Sequence, residues 1–210
     1  MGVVFGPDLA LAVSDEAVAA AAVTRRRRHG ERPDARASAV REMFEQGVDT
    51  LLLVEPAVPV RPDWVRSGAL FALVADHINL TGDNPLVGPN ADEWGPRFPD
   101  LTDAWDPELR RAVRLRAVGA GIALHEGVVG GVTGAARTAA ELEMLRMVGA
   151  DMASEGFVHE AIVARHAGRH VTGIAVLAIG TELPGEAEAL EDLMREAISA
   201  LAGTPGAARE

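Results

Sequence analysis

Residues 76–100 read DHINLTGDNPLVGPNADEWGPRFPD, and the fold turns on how this stretch is read. It is too dense in Gly, Pro, Asn and Asp to be a helix or a strand, which predicts a long ordered loop. Loops of this length are as a rule either functional or disordered. Ile78, Leu80, Leu86, Val87, Trp94 and Phe98 are spaced through it as apolar anchors, which argues for order. Immediately upstream, residues 69–75 form an apolar run expected to be a strand, so the loop leaves a strand's carboxyl end. Open α/β sheets place their ligands there.

Working outward, residues 50–54 (TLLLV) are a continuous apolar run, as a parallel strand buried on both faces would be. A Pro-punctuated connector is expected over residues 55–63. Residues 35–46 carry Ala39, Val40, Met43 and Phe44 at helical spacing, with Gly47 as the stop. Further upstream, Gly2 to Phe5 reads as a first strand, residues 9–23 as helical, and Arg25, Arg26, Arg27 and Arg28 as a solvated basic run or an anion site.

Downstream, Asp106, Pro107 and Glu108 supply a cap, a first-turn proline and a first-turn acid for a helix to about Val118. Residues 122–132 read as a strand. Thr138 and Glu141 have capping-box spacing for a helix to Val148. Ser154 is a candidate cap for a helix over residues 157–166, followed by a strand over 171–179 and an amphipathic helix over 185–201. Alternating strands and helices predict an α/β domain with a mostly parallel sheet.

At 210 residues and 48% hydrophobic content the chain can bury one large core, and a single domain is expected. The net charge of −11 disfavours nucleic acid as a partner. With no cysteine there is neither a disulfide framework nor thiolate chemistry, which fits a reducing cytosol. No leader and no apolar run near the roughly 20 residues of a bilayer span is visible, so no membrane partner and a cytoplasmic protein are expected. His159, Glu160 and His166 lack the HExxH spacing of a zinc site, and no metal is expected.

The words DHINL, NPL, GPN and RFPD, in this order, resemble the signature of the trimeric purine nucleoside phosphorylases. Residues 47–50 (GVDT), Glu126 with Gly127, residues 138–141, residues 149–151 (GAD) and residues 160–166 (EAIVARH) also fall where that family has closely similar words. The resemblance implies one α/β domain with a mixed, mostly parallel sheet flanked by helices. Residues 1–34 would be divergent and shortened, without room for the family's hairpin and strand, and residues 203–210 a tail. It implies no cofactor. It also implies a homotrimer, in which the phenylalanine of RFPD, here Phe98, reaches into a neighbour's site.

Set against the same resemblance, the ligand-binding words are altered. The family's glycine-rich phosphate loop corresponds to residues 6–10 (GPDLA), where a proline removes an amide donor and Asp8 adds a carboxylate. The family's second phosphate contact, the serine of GMST, corresponds to Gly156 within Ser154-Glu155-Gly156-Phe157. Arg26, or Arg25, is the candidate replacement for the family's Arg-x-His pair. The purine-binding glutamate of GPxFET gives way to Arg137, the asparagine of ITN to Gly180, the family's Ala-Ala-Gly-Gly turn to residues 57–60 (AVPV), and the late ribose histidine to Leu190. Each such contact contributes about 2 to 4 kcal/mol in a transition state, or about 10² to 10³ in rate.

Three readings of function follow, and the altered words favour the first, a phosphorylase scaffold without its phosphorylase chemistry. One is a noncatalytic or interaction subunit, pairing with itself or as a hetero-oligomer with a related phosphorylase. Another is a repurposed enzyme, in which Arg137, Glu155 and His159 cluster in the old pocket around a small-molecule ligand and do acid/base work; the bland counterpart is a Glu155–Arg137 ion pair. The third keeps residual phosphorolysis or glycosyl transfer, with Glu55 and Glu126 as stand-ins. His77, Phe98, Arg26 and Glu55 are the expected pocket residues, His77 as a loop hydrogen-bonder.

Overall fold

The apolar run at residues 51–54 sits in the strand that organises the molecule, β3 (Thr50–Pro59). Its side chains alternate between two cores. Leu51 and Leu53 join one cluster with Val40, Phe44, Trp105 and Phe157. Leu52 and Val54 join another with Val3, Phe5, Leu109 and Leu193. A strand sandwiched this way has no solvent face, which is why it reads as an unbroken hydrophobic run.

The computed structural model describes residues 1–5, 9, 22–25, 33–134, 137–177 and 186–202. In chain order these form β1 (Gly2–Phe5), β2 (Ala22–Arg25), α1 (Pro33–Glu45), β3, α2 (Pro62–Ser67), β4 (Phe71–Asn79), α3 (Pro107–Gly119), β5 (Leu124–Gly131), α4 (Ala139–Met147), β6 (Met152–Ser154), α5 (Val158–His166), β7 (His170–Leu177) and α6 (Glu186–Ala202). β1 and β2 extend one mixed sheet from β3, all parallel. β3 runs parallel to β7 from Thr50 to Ala57, then turns its last residues, Val58 and Pro59, to pair antiparallel with β6. Parallel β6–β5 and β5–β4 pairings and an antiparallel β4–β7 pairing close β3, β7, β4, β5 and β6 into a ring. The expected α/β class with a mostly parallel sheet is therefore observed. Packed residues of α1 and α5 belong to the first cluster, and those of α3 and α6 to the second.

Several boundaries differ from the sequence reading. β3 continues through the expected connector, because Glu55 and Pro56 remain in register with β7. β4 takes in Asp76, His77, Ile78 and Asn79, so the loop begins at Leu80; a register shift between Val74 and Asp76 lets the strand continue along β5. Ala22 to Arg25 form a strand, not the end of a helix; residues 10–21 lie outside the described residues. The segment before residue 35, expected to be too short for the family's hairpin and strand, carries the four-residue strand β2 among its described residues. Ser154 belongs to β6 and does not cap α5.

Other local rules hold. Asp106 caps α3, its Oδ1 accepting from the Glu108 and Leu109 amides at 2.9 and 3.1 Å. The reciprocal capping box of Thr138 and Glu141 opens α4. Among the described residues no helix is long and apolar enough to cross a membrane.

Candidate functional site

β6 leads into α5, and the turn between them holds Gly156, one of the altered positions of the sequence. Glu55 is fully buried on β3. Its carboxyl group lies so close to Gly156 that a β-carbon at position 156 would overlap the Glu55 Cγ, Cδ and Oε2 atoms. Glycine here is a packing requirement.

Two amides at the entry to α5, those of Gly156 and Val158, are already committed. Ser154 Oγ donates to the Pro56 carbonyl at 2.8 Å and accepts from the Gly156 amide at 3.2 Å, tying this turn to β3. The Val158 amide donates to the Gly156 carbonyl at 3.0 Å. That bond spans only Phe157, whose φ of 77° and ψ of −56° describe a γ-turn rarely adopted by a bulky residue. Such a conformation costs about 1 to 3 kcal/mol and persists only when its surroundings hold it. Here the Phe157 ring is buried edge-on against Trp105, with centroids 5.9 Å apart, and against the face of β7 at Gly173. A helix N-terminus attracts anions through free amides. In this turn, Gly156 and Val158 give theirs to neighbouring oxygens.

Beside this turn lie two histidines, His77 and His159, both expected in the pocket and close enough to act on one another. His77, on strand β4 and not in the loop, accepts the Trp105 indole N–H on Nδ1 at 3.1 Å. Burial, the largest influence, and the nearby His159 hold the His77 imidazole below its ordinary pKa, against the opposing pull of Asp76. His159 is buried on α5, its Nε2 3.4 Å from Thr81 Oγ1.

Phe98 is 85% exposed, with the Arg97 guanidinium 5.1 Å from its ring centre, so within the protomer it anchors nothing. Val87, at 78% exposure, and Leu80 are also turned to solvent, whereas Trp94 packs on the first core against Phe44. Besides Trp94, hydrogen bonds made by asparagine side chains order the segment. Asn79 Oδ1 accepts from the Thr81 amide and hydroxyl, Asn84 Oδ1 from the Leu86 amide, and Asn90 Nδ2 donates to Asp92 and to the Gly95 carbonyl.

Arg137 stands just before the α4 cap. After the hydrogen bonds from Thr138, its charge is a further influence holding the Glu141 carboxyl below the usual range. Glu155 is partly exposed between β6 and Gly156. Glu126 receives both Arg110 and Arg114, at 2.8 and 2.9 Å. Leu190 is buried in the second core. Arg26, residues 6–8 and residues 178–180 lie outside the described residues. Among the described residues no group of three or more His, Asp or Glu side chains is disposed to hold a metal.

Sequence reasoning missed Trp105, Phe157 and Thr81. The only signal for Phe157 was a bulky residue after glycine where the resembled family has a small one.

Comparison with known proteins is consistent with this architecture. The model of the phosphorylase superfamily matches residues 14–204. Purine nucleoside phosphorylase 1 of Bacillus subtilis is 40% identical over 139 residues, covering 66% of this chain and 51% of that protein. Bos taurus purine nucleoside phosphorylase is 37% identical over 139 residues, covering 62% of this chain and 47% of that one. The chain thus spans about half the length of these relatives. Among solved structures, the Schistosoma mansoni enzyme in complex with acetate superposes with a TM-score of 0.74 at 28% identity, covering 87% of this chain and 71% of its own. A purine nucleoside phosphorylase in complex with ribose-1-phosphate gives a TM-score of 0.79 at 26% identity, covering 97% and 90%.

Proposed function

The chain belongs to the phosphorylase superfamily, and from that membership and the filled turn at Gly156 we propose that it is a purine nucleoside phosphorylase-like subunit without phosphorolysis, acting as a noncatalytic, oligomer-forming protein. One observation carries the reading: the buried Glu55 carboxyl group occupies the space against Gly156. By resemblance, that position is where the family's phosphate-binding serine stands.

The physical argument has two parts. Phosphorolysis needs a dianion seated beneath the sugar by directed donors, and those donors must be free when the anion arrives. Here a carboxyl group takes the volume, and the Gly156 and Val158 amides are bonded internally. Losing a cradle of this kind removes about 2 to 4 kcal/mol of transition-state stabilisation per donor. Meanwhile the exposed Phe98 and Val87 give the 80–100 segment an apolar surface suited to a neighbouring subunit.

Calorimetric titration with phosphate, and separately with inosine, guanosine and hypoxanthine, tests the reading alongside a phosphorolysis assay. No phosphate binding and no turnover is the expected result. Saturable phosphate binding with release of free base from inosine would overturn it.

A further inference from the structure

With no cysteine in the chain, its sulfur resides in six methionines, and burial divides them into two groups. Met43 and Met152 lie in the first core and Met194 in the second, none more than 3% exposed. Met1 packs against the second core. Met144 and Met147, on α4, are 51% and 76% exposed. Residues three apart are neighbours on a helix surface, so the two thioethers share one face. Val148, the C-cap residue, is 51% exposed and four positions from Met144, which extends the same apolar face.

The rest of α4 is fastened elsewhere. Leu145 is buried with Val60, Ala150 and Ala153, and Leu142 packs beside them. Thr138 and Glu141 close the first turn, and Arg146 Nε donates to Glu143 at 2.8 Å. These contacts hold the helix by its inner side and its start, away from the two exposed sulfurs.

A hydroperoxide oxidises a thioether to a sulfoxide in one two-electron step. A sulfur lone pair attacks the outer peroxide oxygen and forms the S–O bond while the O–O bond breaks. The departing oxygen leaves with its electron pair and takes up the proton that the transferred oxygen releases, giving water or an alcohol. Sulfur is oxidised and the peroxide reduced. Solvent can carry that proton, so the reaction needs no acid or base from the protein, and access of peroxide to sulfur decides which methionine reacts. In either core the new oxygen would be a polar group taken out of water, a change that packing opposes. On the outer face of α4 it stays hydrated.

We propose that Met144 and Met147 form a reversible oxidation site: hydroperoxides convert both thioethers to sulfoxides, and the outer face of α4 passes from apolar to polar while the domain stays folded. Each flexible apolar side chain becomes a polar, chiral one, and methionine sulfoxide reductases, one for each sulfur epimer, return it to the thioether. The oxidant level thus sets how apolar this surface is. The site is independent of whether phosphorolysis survives.

Brief exposure of the full chain to hydrogen peroxide, followed by peptide mass spectrometry, tests it. The expected result is a gain of one oxygen atom at Met144 and one at Met147 before any at Met43, Met152 or Met194, with circular dichroism and the urea midpoint unchanged. The oxidised chain should elute earlier in hydrophobic-interaction chromatography, and treatment with both reductases should restore mass and elution. The double variant Met144→Leu, Met147→Leu keeps the apolar surface without its sulfur and separates α4 from Met1; its elution should not shift on oxidation. Oxidation of a core methionine as early as that of Met144 and Met147, unfolding of the oxidised chain, failure of the reductases to restore it, or an equal elution shift in the double variant would overturn the proposal.

Discussion

The loop at residues 80–100 touches α5 where Thr81 meets His159, just after the turn at residues 154–158, yet loop and turn relate to the family resemblance in opposite ways. In the loop the resembled words are intact, and each has a visible structural task. Asn79, Asn84 and Asn90 close local turns, and Gly88 adopts a φ of 108° that other residues resist. In the turn the words are changed, and the replacements fit one another: Gly156 admits Glu55, Ser154 satisfies Gly156, and Phe157 is held in strain by Trp105. Words that survive here shape backbone. Words that changed are ones the resemblance assigns to ligand contact.

That contrast can be broken most forcefully at Gly95. An alanine there would drive a methyl group into the His166 carbonyl, and backbone cannot swing aside as a side chain can. Gly95→Ala should therefore cost about 3 kcal/mol in chemical denaturation. A cost near zero would mean that the loop is not fixed by its contact with α5.

Gly156→Ser probes the other side of the comparison. It should destabilise by about 2 kcal/mol, because the obstructing Glu55 is buried and cannot easily leave. Adding Glu55→Ala should recover about 1 to 2 kcal/mol, a coupling expected of residues in direct contact. Additive losses in the double-mutant cycle would show that the two do not share one space.

A smaller effect, away from both segments, calibrates them. Asp106 caps α3 and pairs with His170 Nδ1 at 2.8 Å. Burial pushes its carboxyl upward, but hydrogen bonds from the Leu109 amide, His170 and the Glu108 amide outweigh that and hold it below 3.8. Its stabilisation is thus complete above pH 3.8 and lost as pH falls through the lower folded value. Asp106→Ala should cost about 1 kcal/mol at neutral pH, with the gap to wild type closing below pH 3.8 in urea titrations.

The smallest change in stability is expected at the exposed tip of the loop. Phe98→Ala should leave the protomer within about 0.5 kcal/mol of wild type, since its ring touches little besides Arg97. If the ring serves a neighbouring subunit, the same variant shifts sedimentation toward smaller species. A large stability loss without that shift would assign Phe98 to the protomer itself.

Much of the fold was legible because its signals are local. The two-sided strand at 51–54 is unbrokenly apolar, the caps at Asp106 and Thr138 are one-turn chemistry, and the loop words are Asx and glycine turns. Errors arose where neighbours overrode local preference. Glu55 and Pro56 read as a connector, yet β7 supplies their partners. Asp76 and His77 read as loop, yet β5 carries them past a bulge.

The sequence by itself determined the α/β class, the order of most elements, and the replacement of the family serine by Gly156. Only the tertiary structure decided that Glu55 fills the space Gly156 leaves, that His77 faces Trp105 and His159, and that α5 clasps both ends of the loop. Glu55 and Gly156 lie 101 positions apart, a difference read directly from their numbers. Periodicity and capping report what a residue does to its own turn or strand; a contact across such a separation exists only once β3, β6 and α5 have packed.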